Sequence, residues 1–242
     1  MIELVSVTKR YGRGFRRSVT ALDSIDLQLE GGTTVAVVGS NGAGKSTLFG
    51  ILAGLVRPDS GSVRIAGRTP LDRIRTDGIG YLPDRIRFAE RRSVAEVLTR
   101  LGILDGCPIR ELSSRVDHAL GATGLREWRN SRCGSLSRGM RQRLGLAQLL
   151  LKPRSVLLLD EPLAGLDPLW RARFRDLVSR LRAGDPDMTV LISSHELGEV
   201  ARIADRVAVI QAGRLAATVE VDEDSTAMER RVLGILRRDG VE

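Results

Sequence analysis

A glycine-rich stretch between residues 39 and 47 has the residue types and spacing of a phosphate-binding loop. The apolar run 35–38 leads directly into Gly39, Ser40, Asn41, Gly42, Ala43, Gly44, Lys45, Ser46 and Thr47. In the pattern G-x-x-x-x-G-K-S, successive backbone N–H groups surround phosphate oxygens, and the helix that follows adds partial positive charge. We expect Lys45 to reach the β- and γ-phosphates and the Ser46 hydroxyl to bind Mg²⁺. The strand before the loop and the helix after it disfavour an ordinary turn.

Two adjacent acids, Asp160 and Glu161, end a second apolar run at 156–159. A carboxylate at the carboxyl end of a central parallel strand lies where ligands bind in doubly wound sheets. We expect Asp160 to hold Mg²⁺, through water or Ser46, and Glu161 to accept a proton from the attacking water as a general base. Two acids before Pro162 could instead form a solvated turn, but the phosphate-binding loop favours a nucleotide site.

Two more polar segments flank predicted strands. The segment 136–143 reads L-S-R-G-M-R-Q-R and opens a helix, with Ser137 as its N-cap residue. A purely structural capping role is the alternative for this serine. His195 follows Ser193 and Ser194 at the end of a strand, so its imidazole can meet phosphate at the carboxyl edge of the sheet. A surface histidine that caps a helix is the alternative there.

The order of these motifs resembles the ATP-binding cassette (ABC) ATPase family across nearly the whole chain. A phosphate-binding loop, a helical insert, L-S-x-G, an Asp-Glu strand end, Leu166-Asp167 and His195 follow one another as in that family. The resemblance implies that residues 39–47 bind the phosphates of ATP. It also implies that Tyr11 stacks on adenine, although Tyr11-Gly12 could be only a turn at a strand end.

The resemblance also assigns the catalytic and interface residues. It implies that Ser137, Arg138 and Gly139 contact the γ-phosphate held by an opposite subunit. Asp160 is then the metal-associated aspartate, Glu161 the catalytic glutamate, Asp167 part of the dimer-contact loop, and His195 the switch histidine that touches the γ-phosphate. ATP and Mg²⁺ are the implied cofactors.

This chain departs from the family pattern at two places. Asp84 stands after Tyr-Leu-Pro where the family usually has glutamine, and Arg138 and Met140 replace the commoner glycine and glutamine. Asp84 can still bind Mg²⁺ through water, because a carboxylate oxygen is a hard ligand. Its negative charge weakens nucleotide binding unless Mg²⁺ or an arginine offsets it, and Arg85 is adjacent. We expect a functional site with altered contacts at the dimer interface.

Hydrophobic periodicity places these residues on alternating strands and helices. It predicts strands near 2–7, 25–29, 33–38, 63–65, 79–82, 156–159, 189–193 and 206–210. It predicts helices at 45–52, 137–151, 168–182, 196–204 and 228–238, with helical patterns such as 94–98 and 111–120 between them. After Gly213-Arg214 the pattern predicts a short tail.

The predicted fold class is α/β. It comprises a P-loop NTPase core with a mixed, mostly parallel sheet, an N-terminal antiparallel β subdomain and an inserted α-helical subdomain. We expect one cassette over 1–242. Its core comprises 1–84 and 136–218, its helical insert 85–135, and its C-terminal extension 219–242.

Composition is consistent with one globular domain. The chain has 242 residues, 42% of them hydrophobic, and its apolar runs fall short of the roughly 18 residues of a membrane span. Cys107 and Cys133 lack metal-ligand spacing and are interpreted as incidental. The net charge of +8 comes almost entirely from arginines, with short clusters at 13–17 and 85–92, and aromatic residues are 3%. Few aromatic residues disfavour nucleic acid as a partner, and favour a solvated surface or one near anionic lipid.

We therefore expect the ATP-hydrolysing subunit of a membrane transporter. The implied partners are a separately encoded membrane-spanning subunit and a second ATPase subunit, identical or different. The implied location is the cytoplasmic face of the cell membrane, peripheral through the membrane subunit. The Tyr-Leu-Pro-acid and Ser-Arg-Gly-Met motifs look most like ABC-2-type exporters, with metal or amino-acid importers as the alternative within transport. A soluble ABC ATPase acting on nucleic acid or ribosomes and a small-molecule kinase or GTPase are the other classes.

Overall fold

The computed structural model describes residues 1–12, 18–76, 78–221 and 225–238, without the side chains of 225–227, 237 and 238. The arginine cluster at 13–17 lies outside the described residues. The strands are β1 (Ile2–Tyr11), β2 (Val19–Leu29), β3 (Thr34–Val38), β4 (Ser60–Ile65), β5 (Gly80–Leu82), β6 (Val156–Asp160), β7 (Thr189–Ser194), β8 (Arg206–Gln211) and β9 (Arg214–Glu220). The α-helices are α1 (Lys45–Leu52), α2 (Pro70–Thr76), α3 (Val94–Leu104), α4 (Leu112–Ala122), α5 (Arg138–Leu149), α6 (Pro168–Gly184), α7 (Leu197–Val200) and α8 (Ser225–Arg238).

The larger sheet has six strands in the order β5-β6-β7-β3-β8-β9. Its strands pair in parallel except for β9, which is antiparallel to β8. Alternate side chains of β3 enter opposite cores: Val35 and Val37 pack on the side of α1, and Ala36 and Val38 on the side of α6, α7 and α8. Because both faces are covered, β3, β6 and β7 are buried along their whole length.

The smaller sheet is antiparallel, with the order β2-β1-β4. It packs on the α1 side of the larger sheet through Leu4, Ile25 and Leu29, which share a core with Phe49 of α1. Together the two sheets and the inserted helices confirm the predicted fold class. They also put the carboxyl ends of β3, β6 and β7 side by side.

The insert is helical and rests on α5. Its helix α3 begins with a capping box, in which Ser93 Oγ accepts from Glu96 N–H and Glu96 accepts from Ser93 N–H. Leu98 and Val116 of the insert share one apolar core with Leu144 of α5. The hydrophobic core of the insert therefore extends beyond the predicted range 85–135 into the helix that follows it.

The prediction of a tail after Gly213 is wrong. Residues 214–220 form β9, so the predicted core boundary at 218 falls inside a strand. The signal was present: Leu215, Ala217 and Val219 alternate with exposed residues, which is the period of a half-buried strand. Helix α8 then buries Met228 and Val232 in the same core as β9.

Two helices also differ from the prediction. Helix α2 was not predicted, although Thr69 before Pro70 with Asp72 three residues on is a helix-start signal. The predicted helix 196–204 ends at Val200, because Asp205 is held on β3 by hydrogen bonds in both directions with Thr34. Among the described residues, no helix combines the length and apolarity needed to cross a bilayer.

Candidate functional site

The register of the parallel strands brings the motifs to one edge of the sheet. Strand β7 lies between β3 and β6, and its Ser193 is paired with Val37 on one side and Asp160 on the other. The phosphate-binding loop leaves β3 one residue after Val38, and His195 follows β7 directly. The predicted metal, base, switch and phosphate-binding residues therefore come from three adjacent strand ends.

Glycines allow the phosphate-binding loop to lie close to its neighbours. A side chain at Gly39 would bring its Cβ to 2.2 Å from the Ile210 carbonyl oxygen. Gly44 is the N-cap residue of α1 in a left-handed conformation, with φ of 109°, and a Cβ there would meet the Ala21 carbonyl at 2.4 Å. Since α1 begins at Lys45, the first-turn N–H groups of Lys45 and Ser46 have no acceptor within the helix. This end of α1 can bind an anion.

Lys45 is buried and its ammonium group contacts the site itself. Its Nζ donates to the carbonyl oxygens of Gly39 at 2.8 Å and Ser40 at 3.2 Å. The same Nζ lies 3.7 Å from Glu161 Oε1, and the side chain is only 7% exposed. Lys45 therefore joins the phosphate-binding loop to the predicted base.

Glu161 is held from several directions in an uncommon backbone conformation. Its φ is 49°, in the left-handed region that non-glycine residues rarely adopt. Its Oε2 lies 2.9 Å from His195 Nδ1, and its carbonyl oxygen accepts from Gln142 Nε2 at 3.3 Å. The structure thus brings the predicted base together with Lys45 and His195. Left-handed backbone at such a residue is typical of functional sites.

The analysis of the sequence missed Ser193 as a site residue. Its hydroxyl donates to Asp160 Oδ1 and accepts from Glu161 N–H at 2.8 Å. Ser193 and Asp160 are both buried, with at most 2% exposure. A hydroxyl at the end of a fully buried strand, next to the strand that ends in Asp160, was the available signal.

Asp84 contacts two arginines. Its carboxylate lies 3.9 Å from Arg138 Nη2 and 3.9 Å from Arg85 Nε. Burial, reinforced by the charges of Asp160 and Asp84, raises the pKa of Tyr81 to about 12. The Tyr81 phenol therefore stays neutral near the two acids at physiological pH. Asp84 and Asp160 therefore both act on Tyr81, although no hydrogen bond joins the two acids among the described residues.

Ser137 and Asp167 both cap helices, as the structural alternative for Ser137 predicted. Ser137 Oγ accepts from Met140 N–H at 3.2 Å, and Asp167 accepts from Trp170 N–H at 2.9 Å. The segments that carry the two caps are in close contact. A Cβ at Gly139, two residues after Ser137, would lie 2.6 Å from the carbonyl oxygen of Gly165, two residues before Asp167. Within the part of the chain that the structure describes, no hydrogen bond or ion pair links Ser137, Gly139 or Asp167 to Lys45. These residues therefore form a second group, beside the strand-end group.

Tyr11 ends β1 and is half-exposed. Its ring faces Lys9 Nζ at 5.6 Å, and a cavity of about 420 Å³ opens beside it, lined by Lys9, Arg10, Tyr11, Gly12, Ser18 and Asp59. Its partner on β2 is Val19, two residues from the Ala21 carbonyl that touches Gly44. Tyr11 therefore lies on the side of the phosphate-binding loop. Adenine stacking on this ring remains a prediction.

The donor set fits Mg²⁺. The described residues include no cluster of three or more His, Cys, Asp or Glu side chains able to hold a metal ion. Mg²⁺ is usually held by one or two protein oxygens together with substrate phosphates and water. The Asp160 carboxylate and the Ser46 hydroxyl are hard oxygen donors of that kind, and Asp84 is a third at the margin. Such a site needs the nucleotide to complete its coordination.

Comparisons with known proteins identify the family. A family model described as ABC transporter matches residues 22–164. The uncharacterized ABC transporter ATP-binding protein YxlF of Bacillus subtilis (strain 168) is 34% identical over 100% of this chain, which covers 78% of that protein. This chain belongs to the ABC transporter family of ATP-binding proteins. The cassette is therefore an ATPase that binds ATP.

Other relatives of the cassette carry more specific names. The aliphatic sulfonates import ATP-binding protein SsuB 3 of Pseudomonas syringae pv. syringae (strain B728a) is 38% identical over 83% of this chain, which spans 71% of that protein. The daunorubicin resistance ATP-binding protein DrrA3 of Streptomyces coeruleorubidus is 37% identical over 89% of this chain, which spans 66% of that protein. The names of the relatives therefore include an import protein and a drug-resistance protein.

Solved structures share the fold of the cassette. The ATP-binding cassette MJ0796, in a dimeric post-hydrolysis state bound to ADP and Pi, has a TM-score of 0.84 at 24% identity, over 92% of this chain and 99% of that one. The protein cbiO1 of Clostridium perfringens, part of the transporter complex cbiONQ, has a TM-score of 0.76 at 27% identity, over 98% of this chain and 95% of that one. The first likeness shows the fold alone.

Proposed function

We propose that this cassette supplies the ATP-driven step of an exporter, through a separately encoded membrane-spanning partner and a second ATPase subunit. Family membership and the strand-end group of Lys45, Asp160, Glu161 and His195 support the ATPase part of this proposal. The observation that carries the membrane partner is a groove of mixed polar and apolar lining between the core and the helical insert, with exposed leucine and isoleucine side chains in and near it. The cassette would then act at the cytoplasmic face of the membrane, held there by its partner.

The groove lies beside β5, at the junction of the two subdomains. It has a volume of about 300 Å³, and its apolar wall includes Ile74 from α2 and Leu101 and Leu104 from α3. The ion pair of Asp105 and Arg154 forms a polar wall. Leu104 in this wall is 85% exposed, and Ile103 and Ile109, nearby in the chain, are 51% and 80% exposed. Contiguous exposed apolar side chains mark interaction sites. An amphipathic helix of a membrane subunit fits this groove, with its apolar face toward Leu104.

Within one chain, each residue of the strand-end group has a proposed role in ATP hydrolysis. Lys45 and the N–H groups at the start of α1 bind phosphate oxygens, and Glu161 accepts a proton from the attacking water. When bound, Mg²⁺ would neutralise phosphate charge, held by Ser46 and Asp160. His195 lies 2.9 Å from Glu161, where it can orient that carboxylate and meet the γ-phosphate. The phosphate-binding residue Lys45 and the base Glu161 therefore belong to one network of contacts, which includes His195.

The signature residues support a dimer. Ser137, Arg138 and Gly139 stand at the start of α5, beside the loop that ends at Asp167, with no described contact to Lys45 of the same chain. A helix start that offers N–H groups and a hydroxyl is suited to the phosphate of a second copy. We propose that two cassettes pair head to tail, with one ATP between Lys45 of one chain and Ser137 of the other.

Export is supported by the likeness to the daunorubicin resistance protein and by the Tyr-Leu-Pro-acid and Ser-Arg-Gly-Met motifs. Membrane vesicles that contain the cassette and the product of a neighbouring membrane-protein gene test the direction. Export predicts ATP-driven uptake of daunorubicin into inverted vesicles. ATP-driven uptake of an aliphatic sulfonate into right-side-out vesicles would instead establish import, as the SsuB 3 relative suggests.

Cross-linking tests the partner. A photoreactive residue at Leu104 is expected to capture the membrane subunit, and the same residue at exposed Leu233 of α8 serves as the control position. Capture from Leu233 and not from Leu104 would show that the groove is not the docking site. ATPase activity that is unchanged by the membrane subunit would contradict the coupled role.

A further inference from the structure

Among the residues that the structure describes, Ser193 is the one side chain that hydrogen bonds to both Asp160 and Glu161. We propose that Ser193 is a positioning residue for ATP hydrolysis, which sets the Asp160 carboxylate and the Glu161 backbone at the same time. The inference rests on the roles proposed above for these two acids. The serine itself touches neither phosphate nor water in that mechanism.

The first task of Ser193 concerns Asp160. A serine hydroxyl has one proton, and here it is donated to Asp160 Oδ1. Both residues are buried, so no bulk water can replace this bond. The bond fixes the rotation of the carboxylate and leaves its second oxygen for Mg²⁺. Hydrogen bonds to an ionised carboxylate are among the stronger ones in proteins.

The second task concerns Glu161. Its backbone has φ of 49°, which is unfavourable unless its neighbours hold it. The N–H on one side is held by Ser193 Oγ at 2.8 Å, and the carbonyl on the other side by Gln142 Nε2 at 3.3 Å. These two bonds aim the side chain at Lys45 and His195. Without the hydroxyl, the Glu161 N–H has lost its acceptor.

The bond to Asp160 and the bond from Glu161 N–H both involve Ser193 Oγ. The position of the metal ligand Asp160 and that of the base Glu161 therefore depend on each other. The next residue provides a matched control. Ser194 is also buried, but its hydroxyl accepts from Glu196 N–H at 2.9 Å and contacts neither acid. A substitution at Ser194 therefore changes the same strand by the same number of atoms without removing a hydrogen bond to Asp160 or Glu161.

The test compares Ser193→Ala, Ser193→Thr and Ser194→Ala. We expect Ser193→Ala to lower kcat by about ten- to a hundredfold, the effect of losing a bond to a charged group, with the KM for ATP changed less than threefold. Half-saturation by Mg²⁺ should shift to higher concentration. Hydrogen–deuterium exchange of the amide of Glu161 should become faster. Ser193→Thr keeps the hydroxyl and should restore slow exchange and most of kcat, and Ser194→Ala should behave as wild type.

Each outcome decides one statement. Wild-type kcat and exchange in Ser193→Ala would overturn the role of Ser193 and leave the ATPase mechanism intact. Equal losses in Ser193→Ala and Ser194→Ala would also overturn it, because they would indicate general damage to β7. Glu161→Gln at the wild-type rate would instead overturn the proposed base, and with it the function on which this inference rests. A melting temperature for every variant separates these effects from unfolding.

Discussion

The guanidinium of Arg138 lies 3.9 Å from the carboxylate of Asp84. These are two of the positions at which the chain departs from the common pattern of its family, so the added negative charge has an added positive charge beside it. The Arg138 side chain also passes over Gly165, where a Cβ would lie 3.3 Å from Arg138 Cδ. The pair therefore connects the end of β5, the start of α5 and the loop before α6.

We expect Arg138→Gly to weaken Mg-ATP binding in the wild-type background and to weaken it less in Asp84→Gln. The pair is largely exposed, so its coupling should be only about 0.2–1 kcal/mol, a factor of up to about five. Calorimetry on the two single variants, the double variant and wild type measures it. Arg91→Gly, at another exposed arginine, is the control. Identical losses in both backgrounds would show that the two residues act independently.

Lys45→Ala should reduce Mg-ATP affinity by about ten- to a hundredfold, because it removes a charge-assisted bond of about 1.5–3 kcal/mol to phosphate. Calorimetry gives the affinity. Lys152→Ala is the matched control, since Lys152 Nζ donates to the Asp105 carbonyl, outside the site. Since Lys45 also pairs with Glu161, the melting temperature of Lys45→Ala should be measured alongside. A folded Lys45→Ala protein with wild-type affinity would refute the assignment of the loop.

Glu161→Gln should lower ATP hydrolysis at least about a hundredfold, because an amide cannot accept the proton that a carboxylate accepts. ATP that is bound and not hydrolysed should hold two cassettes together by linkage. Sedimentation is expected to show a dimer with Mg-ATP and a monomer with ADP. Glu90→Gln, at an exposed acid, should remain like wild type. A Glu161→Gln protein that stays monomeric with saturating Mg-ATP and its membrane partner would contradict the composite site.

Arg143 should stabilise the orientation of the insert. Its guanidinium lies 3.7 Å from the Trp170 ring and donates to the carbonyl oxygens of Thr123, at 2.9 Å, and of Gly124. Its desolvation lowers the pKa of Arg143, although the group stays charged. Arg143→Met should cost about 1–2 kcal/mol, a Tm loss of about 2–8 °C. Arg173 lies 4.8 Å from the same ring and lacks hydrogen bonds to Thr123 and Gly124. Arg173→Met should therefore lower the stability less, as measured by calorimetry. Equal Tm losses would remove the special role of Arg143.

Much of the fold followed from periodicity, because strands buried on both faces give continuous apolar runs. Strands β3, β6 and β7 are of this kind, and so their ends located Lys45, Asp160 and His195. Strand β9 is half-buried and short of large apolar residues, so its weak alternation was interpreted as a tail. Helix α7 ended early for a tertiary reason, the anchoring of Asp205 on Thr34, which no local pattern contains.

The candidate site was predictable as a set of residue types, but not as a network. The left-handed backbone of Glu161 and the double role of Ser193 arise from the register between β6 and β7. The ion pair of Asp84 and Arg138 joins residues more than fifty positions apart in the chain. The sequence indicates that Asp84 and Arg138 each depart from the family pattern, but only the fold shows that the two side chains lie close together.

The outer strands of the larger sheet limit how two copies can associate. Strand β9 has an exposed row of Arg214, Ala216, Thr218 and Glu220, and Glu220 pairs with Arg206 of β8 at 3.0 Å. At the other edge, β5 has only three residues. A short edge and a charged edge both resist the addition of a foreign strand. The larger sheet is therefore a poor template for a foreign strand, and the proposed pair of cassettes would form through side chains and loops, where a ligand can control it.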